Sequence, residues 1–142
     1  MAGISDYFKN FLLNHILRGE GTFPSTLYIC LCTVTVTESM TGTSITETTY
    51  SGYTRVAVTV DTSTFDASTS DSSLNGGSAI TFPQSSTTGG GDIIDVAVCD
   101  ASTLGNLLLY GTLDSSLTPN SGDSPSFDID ALEFTITVSL PE

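Results

Sequence analysis

From Thr26 onward most apolar runs repeat with a period of two, and that alternation constrains the fold more than any motif does. In Thr26–Thr37, Leu27, Ile29 and Leu31 share one face, and Tyr28, Cys30, Cys32, Val34 and Val36 share the other. Within Tyr53–Val60, Val56, Val58 and Val60 alternate with Arg55, Ala57 and Thr59. Ala79–Phe82 is a further short apolar segment. In Asp92–Asp100 the pattern places Ile94, Val96 and Val98 together and Ile93, Ala97 and Cys99 opposite. A strand over Leu107–Tyr110 is expected to stop at Gly111, and Leu132, Phe134, Ile136, Val138 and Leu140 form a last alternating run. About seven short strands with turn residues between them, and no helix after the first to make a crossover, predict a mainly β fold, an antiparallel sandwich or barrel.

The leading segment is different. Ile4, Tyr7, Phe8, Phe11, Leu12 and Ile16 recur at helical spacing, Ser5 or Asp6 can cap the first turn, and Gly19 and Gly21 stop the helix. Residues 1–21 therefore read as an amphipathic helix and linker, and 22–142 as one β domain. The apolar stripe either closes one end of the β core or docks on a neighbouring protein. Its candidate docking residues are Tyr7, Phe8, Phe11, Leu12 and Ile16, with Arg18 beside them. Two polar tracts are expected to stay outside the core: Glu38–Tyr50, with Glu38 and Glu47 meeting solvent, and Asp61–Gly77, a surface excursion or a pair of short edge strands around Phe65.

Charged residues make up only 13% of the chain, about half the usual share, so Ser, Thr, Gly and Asn must supply most of the polar surface. The charge that is present is one-sided. Sixteen acidic residues face three basic ones, giving a formal net charge of -13 with the one histidine neutral. Nucleic acid and anionic membranes are excluded as partners, and a basic protein surface is the natural complement. Nothing resembles a signal peptide or a membrane span. The three cysteines leave at least one thiol unpaired. Cys30 and Cys32 point to the same face, while Cys99 can bridge to either only if their strands are neighbours. Buried thiols and assembly in a reducing compartment are the expectation.

Sites for chemistry are scarce. His15 is the one imidazole and reads as a polar residue at a helix C-terminus. The cysteines lack the spacing of a zinc knuckle or a redox pair, so no metal and no cofactor is expected. Asp92 with Asp95, or Asp128 with Asp130, would serve as acid and base only across a shared groove, and eleven aspartates make such pairs cheap by chance. Gly89–Gly91 lacks the lysine and helix of a phosphate loop and reads as a turn. Tyr50, Tyr53, Phe65 and Phe82 lie in or beside polar loops with no sign of converging on a sugar platform. The chain is expected not to be an enzyme; a small carbohydrate-binding or carbohydrate-cleaving domain is the alternative from another class.

The opening MAGISDYFKNFLLNHILRG, then FPSTLYICLCT, SGYTRVAV, ITFPQ, DVAVCDASTLGNLLLYGTL and NSGDSPSFDIDALEFTI, resembles in that order a family of small virion proteins of tailed bacteriophages. Members look like β-sandwich or jelly-roll domains, which is the fold the resemblance implies; they are often labelled tail-fibre proteins, and some resemble capsid decoration, or cement, proteins. The matching residues are Asp6, Leu12, Leu13, Asn14 and Gly19 around the helix, Tyr53 and Arg55 in the second strand, and Gly105, Asn106, Tyr110 and Gly111 in the later hairpin. The resemblance implies scaffold roles for them: helix packing for Leu12, a turn at Gly105–Asn106, and aromatic packing for Tyr53 and Tyr110. It implies a noncatalytic virion protein assembled in the host cytoplasm, binding the major capsid protein or other virion proteins, with self-association, a trimer among the options. A short chain without a repetitive shaft favours decoration of the shell exterior, with a fibre, collar or tail-tip subunit as the alternative.

Overall fold

The computed structural model describes residues 2–69 and 72–135. One helix, α1 (Asp6–Arg18), follows a two-residue strand β1 (Gly3–Ile4). Strands β2 (Thr26–Cys32), β3 (Val56–Thr59), β6 (Ile93–Cys99) and β7 (Leu107–Leu117) join β1 in a five-stranded sheet of order β1-β7-β6-β2-β3. The short strands β4 (Ser72–Leu74) and β9 (Glu133–Thr135) pair with each other, as do β5 (Ile80–Thr81) and β8 (Ser126–Phe127). Every pairing is antiparallel.

The expected mainly β fold with a leading helix is present. Among the described residues, however, the strands make one sheet and two separate ribbons rather than the two packed sheets of a sandwich or jelly roll. β5 and β8, which begin and end within the described residues, are only two residues long, too short to extend a sheet.

Both faces of the sheet are covered, as near-continuous apolar strands require. Leu27, Ile29, Leu31, Val58, Val96 and Val98 face the ribbons, which contribute Ile80, Phe82, Phe127, Leu132 and Phe134. Cys30, Cys32, Ala97, Cys99 and Leu107 face the segment after β2, which contributes Val36 and Ile45. This second cover is a departure from expectation. The strand expected to reach Thr37 ends at Cys32, and residues 33–50 fold back over it, with Thr33 donating to the Thr46 carbonyl at 2.9 Å and Thr48 to the Leu31 carbonyl at 2.9 Å. Those bonds satisfy backbone groups that a polar connection would otherwise leave to water, so Val36, Ile45, Thr48 and Tyr50 are buried.

Two register irregularities also redirect side chains. Between Ile93 and Asp95 the β6–β7 ladder slips, so Ile93 joins Val96 and Val98 in the core where alternation had placed Ile94. At the other end Val98 pairs with Leu109 but Cys99 with Leu107, leaving Leu108 as the extra residue of a bulge. The strand does not stop at Gly111: β7 runs to Leu117, and Gly111 pairs with Val96. The alternating run from Leu132 is seen as β9 up to Thr135; Ile136, Val138 and Leu140 lie outside the described residues.

Candidate docking surface and the network beneath it

Ser5 ties α1 to the sheet. Its backbone is extended (φ -65°, ψ 157°) and its Oγ accepts from the Phe8 N–H at 3.1 Å, while the hydroxyl donates to the Leu107 carbonyl. Gly19 ends the helix at φ 68°, its N–H reaching the His15 carbonyl at 3.1 Å, and Glu20 N–H reaches the Asn14 carbonyl at 3.3 Å. Lys9 bridges Asp6, at 3.2 Å, and Glu38, and both carboxylates raise its pKa. Arg18 pairs with Glu20 at 2.6 Å.

The helix has two apolar faces rather than one stripe. Phe8 and Phe11 stack at 5.9 Å, Phe11 meets Phe23 edge-on at 5.0 Å, and His15 packs on Phe23 at 4.4 Å. Phe8 and Phe11 border a cleft of about 170 Å³ that Leu108, turned by its bulge, also lines with Pro24 and Asp100. Phe8, Phe11 and Leu12 are half-buried, so three of the candidate docking residues sit on the side packed toward the chain's own body. Tyr7, bordering the same cleft, is exposed. On the opposite side Leu13, Ile16 and Leu17 are 56%, 72% and 76% exposed, at i, i+3 and i+4. Ile16 is thus on the outward face with Leu13 and Leu17, which the one-stripe reading missed. A wheel drawn through all thirteen helical residues would have found them, because they lie about half a turn from Phe8, Phe11 and His15.

His15 has a plain structural setting. Its Nδ1 is 3.2 Å from the carbonyl oxygens of Glu20 and Gly21, which only accept, so the ring carries its proton there.

Arg55 is the hub of a buried polar network. Its side chain is only 4% exposed. It donates to Glu47 Oε1 at 2.6 and 3.0 Å, and to the carbonyls of Gly42, Ala101 and Leu104 at 2.8–2.9 Å. Burial opposes its charge most strongly, and the hydrogen bonds to Glu47, together with the electrostatics of Cys30, Cys99 and Glu47, hold its pKa above the ordinary value. Tyr53 completes the group: its hydroxyl donates to Glu47 Oε2 at 2.6 Å and accepts from Leu31 N–H at 3.0 Å, and burial followed by Glu47 raises its pKa. Glu47, expected in solvent, is therefore a half-buried counter-ion, and Arg55, which alternates with the valines of β3, is roofed by two loops. Those loops meet closely, since a Cβ on Gly42 would lie 2.1 Å from the Leu104 carbonyl oxygen.

The later hairpin residues sit nearby. Gly105 takes φ 73° in the turn before β7, and Asn106 is held by both carboxylate oxygens of Asp100 at 2.8 Å. Tyr110 is half-buried, its ring so close to Gly3 that a Cβ there would lie 2.8 Å from the hydroxyl. Gly111 faces Ala2.

The candidate catalytic groups do not assemble. Asp92 accepts from Thr118 at the surface, whereas Asp95 is buried and accepts from Val36 N–H at 2.7 Å, so the two share no groove. Asp128 and Asp130 are exposed. Among the described residues no group of three His, Cys, Asp or Glu is placed to hold a metal. Tyr50, Tyr53 and Phe82 do converge, Tyr50 on Tyr53 at 5.4 Å and Tyr53 on Phe82 at 6.3 Å, and Phe65 meets Phe134 at 5.7 Å; these contacts are packing against the core, not a sugar platform. Cys30 and Cys99 do lie on neighbouring strands, Sγ to Sγ 3.7 Å, yet all three cysteines are free and buried. As donor to Cys99, and through burial, Cys30 holds its proton well above the ordinary thiol range; burial pushes Cys32 up to about 12. Asn75, unremarked in the sequence, is fully buried and satisfied: it donates to the Ser78 and Asp128 carbonyls at 3.0 Å and accepts from Leu132 N–H at 2.9 Å.

A family model described as "Podophage GP4 fiber I protein gp80" matches residues 3–135, from β1 to β9. The chain belongs to this family. It is a structural protein of a tailed-phage virion. The description is of a fibre protein, so it supports the tail-fibre alternative over the capsid decoration expected from the chain's small size. No curated protein matches the chain. None of the described helices is long and apolar enough to cross a membrane.

Proposed function

We propose that the chain is a structural subunit of the tail fibre, held to a neighbouring virion protein by the outward face of α1. The observation that carries this reading is the fibre-family match over residues 3–135. Leu13, Ile16 and Leu17 support the attachment, because three large aliphatic side chains left in water on one helix face recover their burial only against a partner. Three free, buried thiols fit folding in the reducing host cytoplasm before incorporation. Electron microscopy of particles labelled with an antibody to this chain tests the placement. Label on the tail fibres is expected; label spread over the head would restore the decoration reading and remove this one.

A further inference from the structure

Two of the three thiols meet inside the sheet. Strands β2 and β6 are neighbours there, with Cys30 opposite Ala97 and Tyr28 opposite Cys99, so Cys30 and Cys99 are diagonal neighbours on one face. Both are fully buried, and the Cys30 thiol donates to the Cys99 sulfur at 3.7 Å. We infer that this pair is an oxidation site, which hydrogen peroxide converts to a Cys30–Cys99 disulfide that staples β2 to β6. The use of such a bond rests on the virion reading above: a chain kept reduced while it is made in the host is stapled once the particle is outside.

The pairing is selective. Cys32 lies opposite Asp95, four residues along β6 from Cys99, and stands two residues from Cys30 on the same strand, so it has bridging geometry to neither. The hydrogen bond from Cys30, opposed by burial and aided by the charge of Arg55, holds the Cys99 thiol below its ordinary pKa, whereas Cys30 keeps its proton. Each sulfur therefore has a distinct role. The Cys99 thiolate attacks one peroxide oxygen, an S–O bond forms as the O–O bond breaks, and hydroxide leaves. That hydroxide takes the Cys30 proton. The Cys30 sulfur then attacks the Cys99 sulfur, the S–O bond breaks, and a second hydroxide leaves and recovers the proton that Cys99 had given to solvent. The two thiols lose two electrons and the peroxide becomes two waters. The sulfurs must approach by about 1.7 Å to bond. That movement falls at Cys99, where the β6–β7 ladder is already irregular and Leu108 bulges.

The test uses the purified full chain, so its result does not depend on where the virion carries it. Reduced native protein is treated with hydrogen peroxide at neutral pH, unfolded in N-ethylmaleimide and mapped by mass spectrometry. One intramolecular link between Cys30 and Cys99 is expected, with the label on Cys32 alone. Because the linked residues are 69 apart in sequence, the oxidised chain is expected to unfold roughly 10 °C above the reduced one, and dithiothreitol to reverse the shift. Cys30→Ala is expected to stop at a Cys99 sulfenic acid that dimedone traps, and Cys32→Ala to form the link as wild type does. Wild-type protein that keeps three free thiols after peroxide, or whose Cys99 passes to sulfinic acid with Cys30 unchanged, overturns the inference. A link through Cys32 or between chains overturns it too, and a link that leaves Tm unchanged overturns the staple. These readouts are made on the wild-type chain, so a variant that fails to fold leaves the outcome decided. If the link forms while particle labelling finds the chain on the head, the fibre placement falls and the oxidation site stands.

Discussion

Replacing Arg55 by leucine tests whether the loops over β2 and β6 are held by one buried cation. The substitution leaves Glu47, whose side chain is 22% exposed, without its counter-ion and strands the carbonyls of Gly42, Ala101 and Leu104 without a donor. Breaking a buried pair by removing one partner costs about 3–5 kcal/mol, mostly the penalty of the charge left behind. With an unfolding entropy of about 2.1 cal/mol/K per residue over 142 residues, 1 kcal/mol corresponds to roughly 3 °C, so the expected fall in Tm is roughly 10–17 °C. Thermal unfolding followed by circular dichroism measures it. The double substitution Arg55→Leu with Glu47→Leu removes both charges and is expected to recover at least half of the loss. A single variant that loses less than about 3 °C, or a double variant worse than the single, would refute the argument that an orphaned charge is what costs.

Three further outcomes follow from the same structure. The folded-state pKa of Tyr53 is raised above its ordinary value of 10, so the stability it contributes is fully present below that pH and is lost as pH climbs beyond it; Tyr53→Phe should lose about 1–2 kcal/mol at neutral pH and show a shallower alkaline decline in urea titrations. Cys30 and Cys32, buried and with raised pKa values, should not react with a disulfide reagent at neutral pH in the native protein, whereas the unfolded chain should release colour for all three cysteines; rapid native labelling mapped to Cys30 or Cys32 would contradict their packing. Ser5→Ala removes the helix cap and the bond to Leu107 and should cost about 1–2 kcal/mol, with hydrogen exchange accelerated in α1 before the sheet; uniform acceleration would mean the helix is not anchored there.

Much of the sheet was legible because it depends on local alternation. Leu27, Ile29 and Leu31 face one core and Cys30 and Cys32 the other, as a period of two demands of any strand. The helix stop at Gly19 was legible for an equally local reason, the left-handed conformation that glycine accepts without penalty. What misled was also local. A Ser/Thr-rich stretch reads as a solvated loop whether or not distant carbonyls receive its N–H groups, so the fold-back of residues 33–50 left no trace in composition. The two outward leucines of α1 were hidden by their similarity to the inward residues, because nothing in a helix's own sequence says which of two apolar sides its domain covers.

The amino-acid order by itself determined a mainly β chain with one capped leading helix, a strongly acidic balance of three basic against sixteen acidic residues, and no sequence motif suited to catalysis; these depend on neighbours in sequence and on the sum of charges. Tertiary structure decided the rest. Whether Ile93 or Ile94 enters the core depends on a ladder slip set by β7, and whether Arg55 is a surface cation or a buried hub depends on loops more than ten residues away folding over it. Which face of α1 is left for another protein follows from where Leu108 and Phe23 stand. Each is a question of what lies opposite in space, and side-chain burial is determined by that opposing surface rather than by the residues on either side.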